Sequence, residues 1–147
     1  MSDERAITPE QLRALQTAAV ACMGWPFMEH GRGPDGIDCF GLLLHLQASI
    51  GRALPDLDYA DTRADHRASI DRYSARARPV ALCDIEAGDV VLFDPKDCIN
   101  HCGVALGAGL FVHATRAAGV TIQRLGAQPW SRLIAGVYRI SEGAVVA

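Results

Sequence analysis

The sequence lacks any hydrophobic run long enough to cross a membrane. Its longest strongly apolar stretch, Phe40 to Leu46, is interrupted by Gly41 and His45, whereas a spanning helix needs about 20 apolar residues. The opening segment, MSDERAITPEQLRALQ, has no apolar signal core and carries early acidic residues. We therefore expect a protein that is made and folded in the cytoplasm, without a membrane span.

An excess of positive charge is also absent. The net charge of -3 leaves no electrostatic footprint for nucleic acid or an anionic membrane surface. The loose basic group of Arg72, Arg76 and Arg78 is interpreted as a solvated face. With 147 residues, half of them hydrophobic, the chain suffices for one core, so residues 1–147 are predicted to form a single domain.

The cysteines do not suggest a disulfide framework. There are five, and an odd count in a cytoplasmic chain argues against disulfides. Cys98 and Cys102 flank His101, but this spacing matches no standard zinc pattern and a second ligand pair is missing, so no metal site is predicted. The cysteines expected to act as small buried hydrophobes are Cys22, Cys83 and Cys102.

The N-terminal half contains the helical signals. Thr8, followed by Pro9 and Gln11, is typical of an N-cap with a capping box, and predicts a helix to about Met23. Residues 24–36 are rich in glycine and proline and are predicted to be a loop. Asp38 can cap a second, buried helix that ends at Gly51. A third helix is expected near residues 64–75.

After Gly88 the pattern changes to short strands. A turn is predicted at residues 107–109, and helices followed by an antiparallel sheet predict an α+β domain. Residues 1–7 and 141–147 are expected to be loose tails. The predicted strands are Asp89 to Phe93, Cys102 to Leu106, Leu110 to Ala114, Val120 to Leu125 and Gly136 to Ile140.

Cys39 is the candidate nucleophile. It follows the presumed cap Asp38 and falls in the first turn of a helix, where partial positive charge favours the thiolate. The glycine-rich loop before it keeps the approach open, and Gly41 removes a side chain nearby. A buried structural cysteine in an apolar helix is an equally good interpretation of this residue alone.

Two histidines in the predicted hairpin favour the interpretation of Cys39 as a nucleophile over that of a structural cysteine. If the loop is the three residues Gly107 to Gly109, Gly103 pairs with His113, and alternation places His101 on the same face. A two-residue loop would instead place the histidines on opposite faces. A metal pair and a polar surface remain alternatives, but beside a candidate nucleophile we interpret His101 as a base and His113 as its orienting partner.

Three stretches together resemble a known family. GWPFMEHGRGPDGIDCFGLL, GDVVLF and NHCGVALGAGLFVHA are similar, in order and spacing, to the NlpC family of papain-like bacterial cell-wall cysteine peptidases. The resemblance covers residues 24–140. It implies Cys39 as nucleophile, His101 as base, His113 as the third polar residue, and no cofactor. It also implies a cysteine-bearing helix packed on an antiparallel sheet.

The same resemblance implies a substrate, peptidoglycan stem peptides, usually cut between D-glutamate and diaminopimelate. The stretch FMEHGRGPDGIDCFGL and the ending LIAGVYR look like members carried in phage and prophage tails, which would place the protein in a virion acting at the cell wall, with tail proteins as partners. The chain departs from many members of the family at Phe27, where they carry an active-site tyrosine. Phenylalanine has no hydroxyl group and donates no hydrogen bond.

The remaining candidates are weaker, and each has a structural alternative. Asp38 is a possible substrate contact or only a helix cap. Arg32 is a possible ligand for a substrate carboxylate or a surface arginine, and His30 a possible cleft residue. Two rival functions stay open: a structural tail component with little activity, and an amidase or acyltransferase using the same cysteine and histidine.

Overall fold

The computed structural model describes residues 7–57, 66–73, 75–95 and 101–143. Its helices are α1 (Pro9–Cys22), α2 (Cys39–Ser49), α3 (His66–Asp71) and α4 (Trp130–Leu133). Its strands are β1 (Arg32–Gly33), β2 (Gly36–Ile37), β3 (Ala77–Val80), β4 (Val90–Phe93), β5 (His101–Gly107), β6 (Leu110–Thr115), β7 (Gly119–Arg124) and β8 (Ile134–Ile140).

Helix α1 begins with the predicted capping box. The Thr8 hydroxyl accepts from the Gln11 backbone N–H at 3.1 Å, and the Gln11 side-chain oxygen accepts from the Thr8 N–H at 2.8 Å. Two of the backbone donors at the helix start are therefore satisfied locally. The buried side of the helix carries Leu15, Ala19 and Cys22.

The main sheet has six strands in the order β3-β8-β4-β5-β6-β7, and every neighbouring pair is antiparallel. Sequential neighbours from β4 to β7 form a meander, while β8 returns to the free side of β4. Helix α2 packs on β5 and β6, and α1 packs on α2. The predicted α+β class, with a helix on an antiparallel sheet, is confirmed.

The two faces of the sheet bury different sets of side chains. The face toward α1 and α2 carries the larger core, which includes Leu92, Cys102, Val104, Val112 and Ala114 together with the helix residues Leu15, Phe40, Leu43 and Leu46. The opposite face carries a smaller aromatic cluster of Val91, Phe93, Ala105 and Phe111, partly covered by Trp130, Leu133 and Ile134. Both faces of the central strands are therefore buried.

Several elements differ from the sequence-based expectation. The predicted loop at residues 24–36 contains β1 and begins β2, a hairpin of two residues per strand. Strand β3 and helix α4 were not predicted, because each is four residues long and lacks a clear apolar period. Helix α3 is shorter than the predicted 64–75, of which residues 64, 65 and 74 lie outside the described ranges.

Residues 141–143, at the end of the described chain, form backbone hydrogen bonds with distant segments. The Ser141 N–H donates to the Arg76 carbonyl at 2.8 Å, and the Gly143 N–H donates to the Gly51 carbonyl at 3.0 Å. At the other end, Ile7 packs against the core. Residues 1–6 and 144–147 lie outside the described ranges.

Candidate active site

Asp38 fixes the start of the helix that carries Cys39. Its side chain is fully buried, and one carboxylate oxygen accepts from the Gly41 N–H at 2.8 Å. The other accepts from the His30 N–H at 2.8 Å. Cys39 is thereby placed at the first position of α2, where the helix dipole favours negative charge. The capping role of Asp38 is present, and its carboxylate is bound by groups of the chain itself.

Arg32 is engaged by two carboxylates of the protein. Its Nη1 lies 3.0 Å from Asp38 Oδ1, while Nε and Nη2 donate to the two oxygens of Asp56 at 2.9 and 3.1 Å. The hydrogen bonds from Arg32 lower the pKa of Asp56. The Arg32 guanidinium, which the sequence left as either a ligand for a substrate carboxylate or a surface arginine, therefore links the glycine-rich loop to residues 52–57.

The loop and the helix approach each other closely at two glycines. A Cβ atom on Gly41 would overlap the carbonyl oxygen of Gly31. A Cβ atom on Gly31 would in turn overlap the carbonyl group of Gly36. The backbone beside Cys39 is thus fixed by close contacts that leave no room for a side chain at Gly31 or Gly41.

His101 and His113 are in direct contact. His101 Nε2 lies 2.7 Å from His113 Nδ1, so the prediction that both rings share one face is confirmed. The predicted three-residue loop is wrong: Gly107 pairs with Leu110, which leaves only Ala108 and Gly109 in the turn.

A bulge explains why a two-residue loop still brings the histidines together. The register shifts between Ala105 and Gly107, so Leu106 is an extra residue opposite no partner, and Val104 pairs with Val112. Adding one residue to one strand exchanges its faces beyond that point. The bulge therefore restores the register that the spacing argument assumed, and both histidines lie on the aromatic face of the sheet.

His113 is buried and forms a second contact. Its Nε2 lies 2.5 Å from the side-chain oxygen of Gln123 on β7. Burial, with a smaller contribution from the neighbouring His101, lowers the pKa of His113 to about 4. The ring is therefore neutral at pH 7.

Aromatic side chains surround the two imidazoles. Trp130 lies edge-on to His113 at 4.7 Å between ring centroids and also contacts His101 at 5.4 Å. Phe93 lies 5.5 Å from His101, and Phe111 lies 4.5 Å from His113. The two imidazoles are therefore packed among aromatic rings in tilted and edge-on arrangements.

The Cys39 side chain lies against β5. It is 3 % exposed, and its thiol lies near the thiol of Cys102, the residue that follows His101. The neighbouring Cys39 and complete burial raise the pKa of Cys102. The N-terminus of α2 therefore lies at the strand that carries His101.

Comparison with known proteins decides the family. The NlpC/P60 family profile matches residues 24–139, which include Cys39 and both histidines. The chain belongs to the NlpC/P60 family. It is 33 % identical over 121 residues to the gamma-DL-glutamyl hydrolase of Bacillus subtilis, covering 80 % of this chain and 26 % of that protein. It is 32 % identical over 102 residues to a probable endopeptidase of Mycobacterium tuberculosis, covering 69 % of this chain and 23 % of that protein.

The fold of this NlpC/P60 domain is similar to that of solved relatives. A Staphylococcus aureus protein of the NLP/P60 family, described as similar to a lipoprotein, superposes with a TM-score of 0.74 at 20 % identity. The match covers 97 % of this chain and 45 % of that one. The chain spans about a quarter of the length of the two curated relatives, at 26 % and 23 %. Those relatives therefore contain much more than this domain.

Phe27 and His30 lie in the segment that leads to Asp38. Phe27 is half-buried, forms an isolated bridge with Ile37, and lies beneath the Arg116 guanidinium, 4.8 Å from its ring centroid. His30 is exposed and has a left-handed backbone, with φ of 62°. The backbone N–H of His30 donates to the Asp38 carboxylate, so this residue supports the cap of α2.

Sequence reasoning missed two residues that contact the histidines, Gln123 and Trp130. Gln123 had a usable signal, because strand alternation places residues 121 and 123 on one face of β7, and residue 121 pairs with His113. Packing is the default role of a tryptophan, and the contact of Trp130 with both histidines depends on the position of α4. Cys83, expected to be buried, is exposed, and Cys98 lies outside the described residues.

Two absences apply only to the described part of the chain. Among those residues, no group of three or more histidine, cysteine, aspartate or glutamate side chains could hold a metal ion. No helix within the same ranges is long and apolar enough to cross a membrane.

Proposed function

We propose that this NlpC/P60 domain is a cysteine endopeptidase that hydrolyses peptidoglycan stem peptides, with Cys39 as nucleophile, His101 as base and His113 as the orienting residue. The observation that carries the proposal is the hydrogen bond between His101 Nε2 and His113 Nδ1, 2.7 Å long. It occupies one ring nitrogen of His101 and leaves Nδ1 as the nitrogen available to the thiol. Support for a hydrolase comes from the relatives named as a glutamyl hydrolase and a probable endopeptidase.

The reaction needs only groups of the chain and one water molecule. His101 Nδ1 takes the Cys39 thiol proton, and the sulfur attacks the amide carbonyl carbon. The Cys39 backbone N–H, at the start of α2, donates to the developing oxyanion. The C–N bond breaks as His101 returns the proton to the leaving amine. Water, deprotonated by His101, then hydrolyses the thioester and releases Cys39.

For the bond cleaved, we propose the D-glutamyl–diaminopimelate linkage. The sequence resemblance implies this bond, and the Bacillus subtilis relative is named for action on a glutamyl linkage. The absence of a hydroxyl at Phe27 does not affect the Cys39 backbone donor. It removes one possible hydrogen-bond donor from the active site.

We also propose association with a phage or prophage tail, where the enzyme would act at the cell wall after synthesis in the cytoplasm. This part rests on the resemblance of residues 27–42 and 133–139 to tail-associated members. Co-purification of the protein with intact virions, tested by mass spectrometry of gradient-purified particles, would support it. Its recovery only from the soluble host fraction would contradict it.

The test of the enzymatic proposal is mass spectrometry of defined muropeptides digested by the wild type and by variants. Cys39→Ser and His101→Ala should each abolish product formation. His113→Asn should reduce kcat less, since an orienting residue does not itself transfer the proton. The double variant of Cys39 and His101 should be little worse than either single variant, because members of one catalytic unit are not additive.

Cys83→Ser serves as the matched control, because it removes an exposed thiol far from the proposed chemistry in sequence and should retain wild-type activity. Cleavage of a bond other than the D-glutamyl–diaminopimelate linkage would contradict the proposed specificity. Transfer of the acyl group to an added amine in place of water would identify an acyltransferase. Absence of products from every stem peptide, with a folded wild type, would favour a structural tail component.

A further inference from the structure

Gln123 continues the line of contacts that runs through the two histidines. On β7, Thr121 pairs with His113 and Gln123 pairs with Phe111, so strand alternation places His113 and Gln123 on the same face. The Gln123 side-chain oxygen lies 2.5 Å from His113 Nε2, and His113 Nδ1 lies 2.7 Å from His101 Nε2. Three side chains from three adjacent strands therefore form one chain of hydrogen bonds.

The chemistry of an amide oxygen fixes where the hydrogens lie. Such an oxygen only accepts, so His113 Nε2 must carry a hydrogen. A neutral imidazole carries only one, which leaves His113 Nδ1 as an acceptor. His101 Nε2 must then be the donor, and in neutral His101 the bare nitrogen is Nδ1. Only this tautomer of His101 can accept a thiol proton at Nδ1.

We propose that Gln123 is a positioning residue that selects the catalytically competent tautomer of His101 through His113. The proposal rests on the proposed function, in which His101 acts as the base. Gln123 supplies the acceptor that holds the hydrogen on His113 Nε2. Without Gln123, His113 can carry its hydrogen on Nδ1 and donate to His101 Nε2. That arrangement places the His101 hydrogen on Nδ1 and blocks proton transfer from the thiol.

Among the residues that the structure describes, the titratable groups that act on His113 come from two elements. They are His101 on β5 and Cys39 on α2. The packing partners Phe111 and Trp130 are uncharged. Burial keeps His113 neutral at pH 7, with a pKa of about 4. The influence of His113 on His101 therefore depends on the tautomer of His113 and not on its charge.

Nitrogen-15 NMR of the histidine side chains tests the tautomers directly on the full chain. The measurement is made at pH 7 in Cys39→Ser, where no thiolate can pair with His101. We expect His113 with its hydrogen on Nε2 and His101 with its hydrogen on Nε2. Adding Gln123→Leu should convert His113 to a mixture of tautomers. A hydrogen on His113 Nδ1 while Gln123 is present would overturn the proposal.

Kinetics with muropeptides provide the second readout. Gln123→Leu should lower kcat by at least about tenfold, since a wrong histidine tautomer is costly in related triads. Gln123→Glu keeps an acceptor oxygen and should recover most of that loss. Gln16→Leu, at an exposed position of α1, is the matched control and should retain wild-type kcat. If Gln123→Leu unfolds, Gln123→Ala replaces it.

Two outcomes separate this inference from the function on which it rests. A wild type that cleaves no muropeptide contradicts the proposed function, and the NMR tautomers then still decide the role of Gln123. An active wild type with Gln123→Leu as active as Gln16→Leu contradicts the role of Gln123 alone.

Discussion

The His113 ring is completely buried, and it reaches its partner His101 through a single hydrogen bond of 2.7 Å. His101 itself is half-buried. The proposed orienting residue, His113, is therefore part of the folded interior, whereas the proposed base, His101, lies at its edge. Substitution of His113 should affect stability, and substitution of His101 should affect mainly chemistry.

Burial of neutral His113 predicts acid sensitivity. The folded-state pKa is about 4, against 6.5 for an ordinary histidine. Because protons bind preferentially to the unfolded chain, stability falls as pH drops from about 6.5 toward 4, by up to about 3 kcal/mol for this residue. Urea unfolding at pH 7 and at about pH 4.5 should show the loss. His113→Asn should lose less stability than the wild type over this range, and an identical loss would refute the assignment.

The buried ion pair of Arg139 and Asp89 should be a major contributor to stability. Arg139 Nε and Nη2 each lie 2.8 Å from a carboxylate oxygen of Asp89, and Asp89 is fully buried. Arg139→Met would leave that charge without its bidentate partner, at a cost of about 3 kcal/mol or more. Urea titration measures the change in free energy of unfolding.

The control for that experiment is Arg116→Gln. Arg116 pairs with Glu29 at the surface, where its side chain is 64 % exposed. Such pairs contribute about 1 kcal/mol or less. Comparable losses for Arg139→Met and Arg116→Gln would show that burial does not distinguish the two pairs.

Gly41→Ala should disturb both the fold and the site. The added methyl group would overlap the Gly31 carbonyl oxygen, and backbone atoms cannot move aside as a flexible side chain can. We expect a loss of about 1–3 kcal/mol and reduced hydrolysis, because the first turn of α2 would shift. Gly126→Ala, with no atom within 4 Å of its new methyl group, is the matched control and should change neither the melting temperature nor kcat.

The thiols should react at different rates. Burial raises the pKa of Cys22, and the contact with Cys39 together with burial raises the pKa of Cys102, so both should resist iodoacetamide. Peptide mapping after brief labelling at about pH 6 should find Cys39 modified first, because only an activated thiol is substantially ionised there. Cys83 is an exposed internal reference. Faster labelling of Cys83 or Cys98 would argue against activation of Cys39.

Features that depend on neighbours along the chain could be predicted without a structure. The capping box of Thr8 and Gln11, the cap at Asp38 and the strands β4 to β7 follow from local hydrogen bonding and from the residue preferences of strands. Those signals sufficed to predict the α+β class and to place the nucleophile candidate at the start of a helix. They also selected His101 and His113 as partners, although the reason given for their common face assumed the wrong turn.

The remaining features required the folded molecule, because they depend on contacts between distant segments. The bulge at Leu106 restores the register of the histidines, and no local signal distinguishes it from a regular strand with a longer loop. Arg32 meets Asp56 across 24 residues, and Trp130 reaches the imidazoles from helix α4. The contact of Gln123 with the buried histidine exists because β6 and β7 pair in one particular register, and that register is set by the packing of the whole sheet.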